Sequence, residues 1–176
     1  MKDLVEVLLK RRSIRKYKDA AVAEEKLERI LQAALLAPSS RGKTPWEFVV
    51  VQDKAMLQEF GRCRHPQQVF LPNTPAAIVV LGDTSVTDVW VEDCSITMTV
   101  MQLEAAQLGL GSCWIQIRNR QAQGEQQSSN DFIKERLHIP DQYDVLAILA
   151  LGEPDEEKAP YQLDKLAYSK IHREQF

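Results

Sequence analysis

Residues 11–17 read Arg-Arg-Ser-Ile-Arg-Lys-Tyr, and four cations there crowd one hydroxyl within six residues. Arginine offers a planar fork of donors that meets a phosphate two bonds at a time, and serine adds a neutral donor. The cluster therefore suits a small anion, although a solvated basic turn would show the same pattern. A second segment, Ala37-Pro38-Ser39-Ser40-Arg41-Gly42-Lys43-Thr44-Pro45-Trp46-Glu47-Phe48, joins a helical pattern to a strand pattern. Its prolines stiffen it, its serines can hydrogen-bond, and Gly42 admits unusual backbone angles. Such a loop suits contact with a flat polar ligand; it also serves as a plain helix-to-strand connection. A third segment, Gly109-Leu110-Gly111-Ser112-Cys113-Trp114-Ile115, is rich in glycine but ends in no Lys-Ser/Thr and lacks the third glycine of a dinucleotide fingerprint. It also runs from helix to strand, the reverse of a phosphate loop. It reads as a helix cap followed by a buried strand that could line a cofactor.

Other chemistries find little support. The sequence shows no Ser-His-Asp set, no paired-carboxylate motif and no HExxH. Cys63, Cys94 and Cys113 are widely spaced, Cys63 and His65 lack a second ligand pair, and His138 and His172 stand alone, so no metal site is expected. If the chain is an enzyme, a bound cofactor must carry the difficult chemistry.

The elements that would position these segments follow from periodicity. Leu4, Val5, Val7, Leu8 and Leu9 mark a short helix before the cluster. Leu27, Ile30, Leu31, Ala34 and Leu35 trace one face of a second, stopped by Pro38. Asp53 opens a third through Phe60, and residues 61–75 read as a loop. Val91 to Leu108 forms a long helix with apolar residues on more than one face, as for a helix buried on several sides. Ser129 or Asn130 caps a fifth that runs through Leu137 and that Pro140 ends, and the polar stretch 121–130 before it reads as a mobile surface excursion. Strands are expected at 46–51, 76–81, 112–117 and 144–151, and residues 162–176 read as an arm for another subunit. Strands and helices alternate around a central sheet, so the class is α/β or α+β.

The length of 176 residues and a 44% hydrophobic share fit one domain over residues 1–176. The net charge of -3 argues against nucleic acid as partner, so the basic cluster is local. No run of 18 apolar residues and no secretory pattern after Met1-Lys2-Asp3-Leu4 are present; a cytoplasmic location without membrane partners is expected.

The order of the segments closely resembles the nitroreductase family of flavin enzymes. The matching motifs are Arg11-Arg12-Ser13-Ile14-Arg15, Ala37-Pro38-Ser39-Ser40 with Pro45-Trp46-Glu47-Phe48, Glu92-Asp93 opening the long helix, Gly109 to Ile115, and Leu151-Gly152-Glu153-Pro154. Each is weak alone; their order and spacing are not. The resemblance implies an α+β fold with a central, mostly antiparallel sheet flanked by helices, in an intertwined homodimer. It implies FMN at the subunit interface, reduced by NAD(P)H and reoxidised by a nitroaromatic, quinone or similar small acceptor in ping-pong fashion. Arg11, Arg12 and Ser13 would bind the phosphate and ribityl end, with Arg15 nearer the ring. Pro38, Ser39 and Ser40 of the partner subunit would pack on the isoalloxazine, and Trp114, Ile115 and Gln116 would pass its reactive nitrogen edge. The arm ends in His172 and Phe176 as in the family. Gln175 stands where a cation is common, which leaves Arg173 for the phosphate. Gly42 and Thr44 replace frequent amide side chains, and Thr97, Thr99 and Val100 depart from the usual helix pattern, which leaves the acceptor more open than the flavin. A non-catalytic flavin-binding or redox-sensing protein, or a flavin-fragmenting or dehalogenating relative, remains an alternative.

Overall fold

The computed structural model describes residues 3–124 and 126–176. Four strands form one sheet in the order β1-β2-β4-β3, with β1 at Trp46–Val51, β2 at Ala76–Asp83, β3 at Gly111–Gln116 and β4 at Tyr143–Gly152. Every neighbouring pair is antiparallel. The central strands are apolar at nearly every position because both faces are covered. On β2, Ala76, Ile78 and Val80 face one core and Ala77, Val79 and Leu81 the other. The ladder between β2 and β4 shifts register between Val80 and Leu81.

The first core is closed by α2 (Glu24–Leu35) and α4 (Trp90–Gln107), the second by α3 (Lys54–Phe60) and α5 (Ser129–Leu137); α1 (Leu4–Lys10) touches α4. Helix α4 is fixed at three depths. Trp90 lies over Gly82, where any Cβ would collide with the indole. The Cys94 thiol donates to the Leu81 carbonyl at 3.3 Å, and the buried Thr97 hydroxyl donates to the Ala34 carbonyl at 2.8 Å. The helix ends in a Schellman turn: Gly109 has φ 78°, its N–H donates to Ala106 O, and Leu110 N–H donates to Ala105 O at 2.8 Å.

Some details differ from the expectations above. The N-cap of α5 is Ser128, whose hydroxyl accepts from Asp131 N–H at 3.0 Å; Ser129 is already helical and buried, and Asn130 uses its oxygen on Val145 N–H. The helix ends at Leu137, as expected, with a left-handed His138 as its cap two residues before Pro140. The 121–130 stretch is docked rather than free. Gln121 bridges Ser128, Ala122 is buried, and backbone bonds join Gln121 to His65 and Gln123 to Arg62. Residue 125 of that stretch lies outside the described residues, as do Met1 and Lys2. The tail beyond residue 160 is exposed throughout and carries two short 3-10 turns, Leu163–Lys165 and Tyr168–Lys170. Among the described residues no helix is long and apolar enough to cross a membrane.

Candidate functional site

Gly111 and Gly152 face each other across β3 and β4, and there the basic segment crosses the sheet. A Cβ on Gly111 would come within 2.8 Å of Ile14, and one on Gly152 within 2.8 Å of Tyr17. The paired glycines thus let residues 13–17 lie flat on the sheet end. Ile14 N–H donates to Ser112 O at 3.0 Å, and Ser13 bridges Ser112 in parallel sense. Lys18 N–H then donates to Glu153 O, and Tyr17 hydroxyl to Ile14 O at 2.6 Å.

The segment after β4 holds this arrangement from outside. Glu156 accepts the N–H of Arg15 at 2.5 Å and of Lys16 at 3.2 Å, and Lys158 Nζ donates to Ser13 O at 2.6 Å. The amide bond from Arg15, with the nearby Lys158, holds the Glu156 carboxyl below the usual carboxylate range. The result is a cleft of about 220 Å³ at the C-terminal end of α4, lined by Lys10, Arg11, Arg12, Gly109, Ser112 and Lys158 among others. Arg12 is engaged by the tail: it donates to Ala159 O and lies 4.7 Å over the Tyr161 ring. Among the described residues, the guanidinium groups of Arg11 and Arg15 have no hydrogen bond or ion pair to protein.

The Pro38–Ser40 loop lies at the opposite end of α4. Ser40 N–H donates to Asp93 Oδ1 at 2.8 Å. The cleft borders Ala106 and Gly109, so the two candidate groups are separated by most of the helix, about 20 Å at 1.5 Å per residue. Strand β3 forms one edge of the sheet. Ser112 O points outward to Ile14, and the alternation of an antiparallel ladder gives the backbone groups of Trp114 and Gln116 the same outward sense. Their side chains are linked, with Trp114 Nε1 donating to Gln116 Oε1 at 2.9 Å, while Ile115 is buried.

A single chain thus brings together Arg11, Arg12, Ser13 and Arg15 beside the β3 edge that carries Trp114, Ile115 and Gln116. It does not bring Pro38, Ser39 and Ser40 to them, and Arg173 stays on the exposed tail. Sequence reading missed Glu156 and Lys158, for which the acid-rich run after Pro154 was the available signal, and named Asp93 only within the Glu92-Asp93 motif, without a role. Burial raises the thiol pKa values of Cys63 and Cys94 to about 12 and also raises that of Cys113, despite the nearby cations Arg15, Lys158 and Arg11. None is an activated nucleophile. Among the described residues no group of His, Cys, Asp and Glu could hold a metal ion.

Comparison with known proteins decides the family. The nitroreductase family model matches residues 8–68 and 61–153. The chain belongs to the nitroreductase family. A curated protein of Archaeoglobus fulgidus, whose provisional name pairs NADH dehydrogenase with NAD(P)H nitroreductase, is 36% identical over all of both chains. The solved structure of an FMN-dependent nitroreductase from Clostridium difficile R20291 is 48% identical, with a TM-score of 0.94 over 98% of this chain and 99% of that one. A solved Parabacteroides distasonis structure with the same provisional name as the archaeal protein has 31% identity and a TM-score of 0.90 over all of both chains.

The nitroreductase chain fits an FMN. Arg11 offers an uncommitted cation in a partly covered cleft, and the outward groups of Trp114 and Gln116 offer edge-strand donors and acceptors to a planar ring. The cleft is smaller than the roughly 300–1,000 Å³ of sites that enclose a drug-sized ligand. That size suits a phosphate group rather than a whole FMN.

Proposed function

We propose that this protein is an FMN-dependent NAD(P)H oxidoreductase that passes reducing equivalents to a nitroaromatic, quinone or similar small acceptor by a ping-pong route. In this reading residues 1–176 act as one domain, in a cytoplasmic homodimer. FMN, when bound, supplies the chemistry: it accepts a hydride from NAD(P)H and gives reducing equivalents to the second substrate. The protein's own residues bind, orient and polarise. Arg11, with Arg12 and Ser13, holds the phosphate and ribityl end, and Lys158 joins them. Arg15, its backbone held by Glu156, supplies a cation where negative charge grows. Trp114, Ile115 and Gln116 line the reactive edge. Arg173 of the tail adds a further cation for the phosphate.

The observation that carries the reading is the separation along α4. The cationic cleft and the Pro38–Ser40 loop sit at opposite ends of an 18-residue helix. In this reading the loop that meets the flavin of one cleft comes from a second copy. Exposed apolar side chains support that assembly: Leu4, Val5 and Leu8 on α1, Ile96 on α4, Leu36 at 84% exposure after α2, and Leu166 and Ile171 on the tail. Purified protein should carry FMN, identified by mass spectrometry after release, and its visible absorbance should bleach on rapid mixing with NADPH or NADH and return with menadione. Colourless protein that takes up no added FMN would refute the cofactor; bound FMN that never bleaches would leave a binding protein without this activity.

A further inference from the structure

We infer that Asp93 is a positioning residue for the flavin, acting through the Ser40 amide to hold the Ser39–Thr44 turn in its ligand-contacting form. The inference rests on the proposed role of Ser39 and Ser40 beside FMN. Asp93 is 2% exposed, lies in the first turn of α4, and spends Oδ1 on Ser40 N–H at 2.8 Å. Its Oδ2 is buried with no hydrogen-bond partner. A buried carboxylate is costly, and one that holds a single loop amide is poorly explained by stability alone. The helix N-terminus offsets part of that cost, because its dipole favours an anion there.

The turn needs such a holder. Arg41, Gly42 and Thr44 have φ values of 54°, 65° and 42°, and the left-handed region is unfavourable for arginine and worse for a β-branched threonine. Short local bonds close the turn: Gly42 N–H to Ser39 O, Lys43 N–H to Ser40 O, and Thr44 N–H to Ser39 Oγ at 2.9 Å. Two bonds anchor it to the rest of the fold, from Lys43 Nζ to Val86 O at 2.7 Å and from Ser40 N–H to Asp93. The lysine contact is exposed, whereas the aspartate contact is buried at the carboxylate end. Residues Arg41–Thr44 are exposed, so the interior of this chain does not impose the strained shape. Asp93 therefore fixes where the serines point.

Two measurements on Asp93→Ala, Asp93→Glu and Asp93→Asn test this. The first is amide hydrogen exchange of the flavin-free protein, read at Ser40 by NMR. The second is FMN affinity, read by quenching of free FMN fluorescence. Wild type and Asp93→Asn, which keeps an acceptor oxygen, should protect the Ser40 amide and bind FMN alike within about threefold. Asp93→Ala, and Asp93→Glu with its displaced acceptor, should lose that protection, and FMN affinity should fall by roughly tenfold, the loss expected when one ordering hydrogen bond is removed. Loss of Ser40 protection with unchanged FMN affinity would overturn the proposal, as would Asp93→Asn binding as poorly as Asp93→Ala. If Asp93→Ala fails to fold, Asp93→Glu carries the same two readings. Wild type that binds no FMN while Ser40 stays protected would instead refute the flavin reading on which this rests.

Discussion

The two ends of α4 are built on different plans. At its C-terminal end the basic segment 11–17 lies flat on paired glycines and is tied down by Glu156 and Lys158, all from the same chain. At its N-terminal end a strained, exposed turn is held by one buried carboxylate. The first region is closed on itself and keeps an uncommitted cation in a cleft. The second projects. In the reading proposed above, one half of the flavin site serves the chain's own ligand and the other half is presented to a neighbour.

The largest expected effect falls on the cationic half. Arg15→Ala should slow bleaching of bound FMN by NADPH by about tenfold to a thousandfold, because it removes a cation from growing charge. Rapid-mixing absorbance gives that rate; an unchanged rate would remove Arg15 from the chemistry. Arg11→Ala should weaken FMN binding by about 1.5–3 kcal/mol, whereas Lys18→Ala, exposed and paired with Glu153 at 3.6 Å, should change it by no more than about 0.5 kcal/mol. Equal dissociation constants would mean that the phosphate lies elsewhere. Gly111→Ala forces a Cβ against Ile14 and should cost about 1–3 kcal/mol in thermal unfolding. It should also weaken FMN binding, since it lifts the basic segment from β3; Gly42→Ala, with open space around its Cβ, should not disturb that segment.

The smallest effect is acid dependence. Glu156 has a lowered carboxyl pKa in the folded protein, so its stabilisation is present above the ordinary carboxylate range and is lost as pH falls through the lowered value. Glu156→Gln should remove that acid limb, by no more than about 1 kcal/mol because the side chain stays partly exposed and solvent screens it. Thermal unfolding from pH 3 to pH 7 would read it.

Much of this was legible in the chain because it is local. The continuous apolar runs of β2 and β4, Gly109 after α4 and Pro38 after α2 all act within a few residues. The basic segment announced itself by composition. What holds it did not: Glu156 and Lys158 are more than 130 residues away in sequence, and Asp93 lies 53 residues from Ser40. The N-cap of α5 was misplaced because Ser128, Ser129 and Asn130 share capping chemistry, and burial of Ser129 chose among them. The 121–130 stretch looked free because its polar side chains conceal backbone bonds to residues 62 and 65.

The central claim, a flavin site shared between two copies, has a direct test in mixed dimers made by co-expressing two differently tagged chains. One pairing joins an Arg11→Ala chain to a chain carrying Ser39→Ala and Ser40→Ala. The other joins wild type to a chain carrying all three changes. The quantity measured is FMN bound per purified mixed dimer, after the homodimer of each variant chain is shown to have lost its flavin. A shared site predicts half occupancy in the first pairing and none in the second. Half occupancy in the second and none in the first would place both groups in one chain's site and contradict the account.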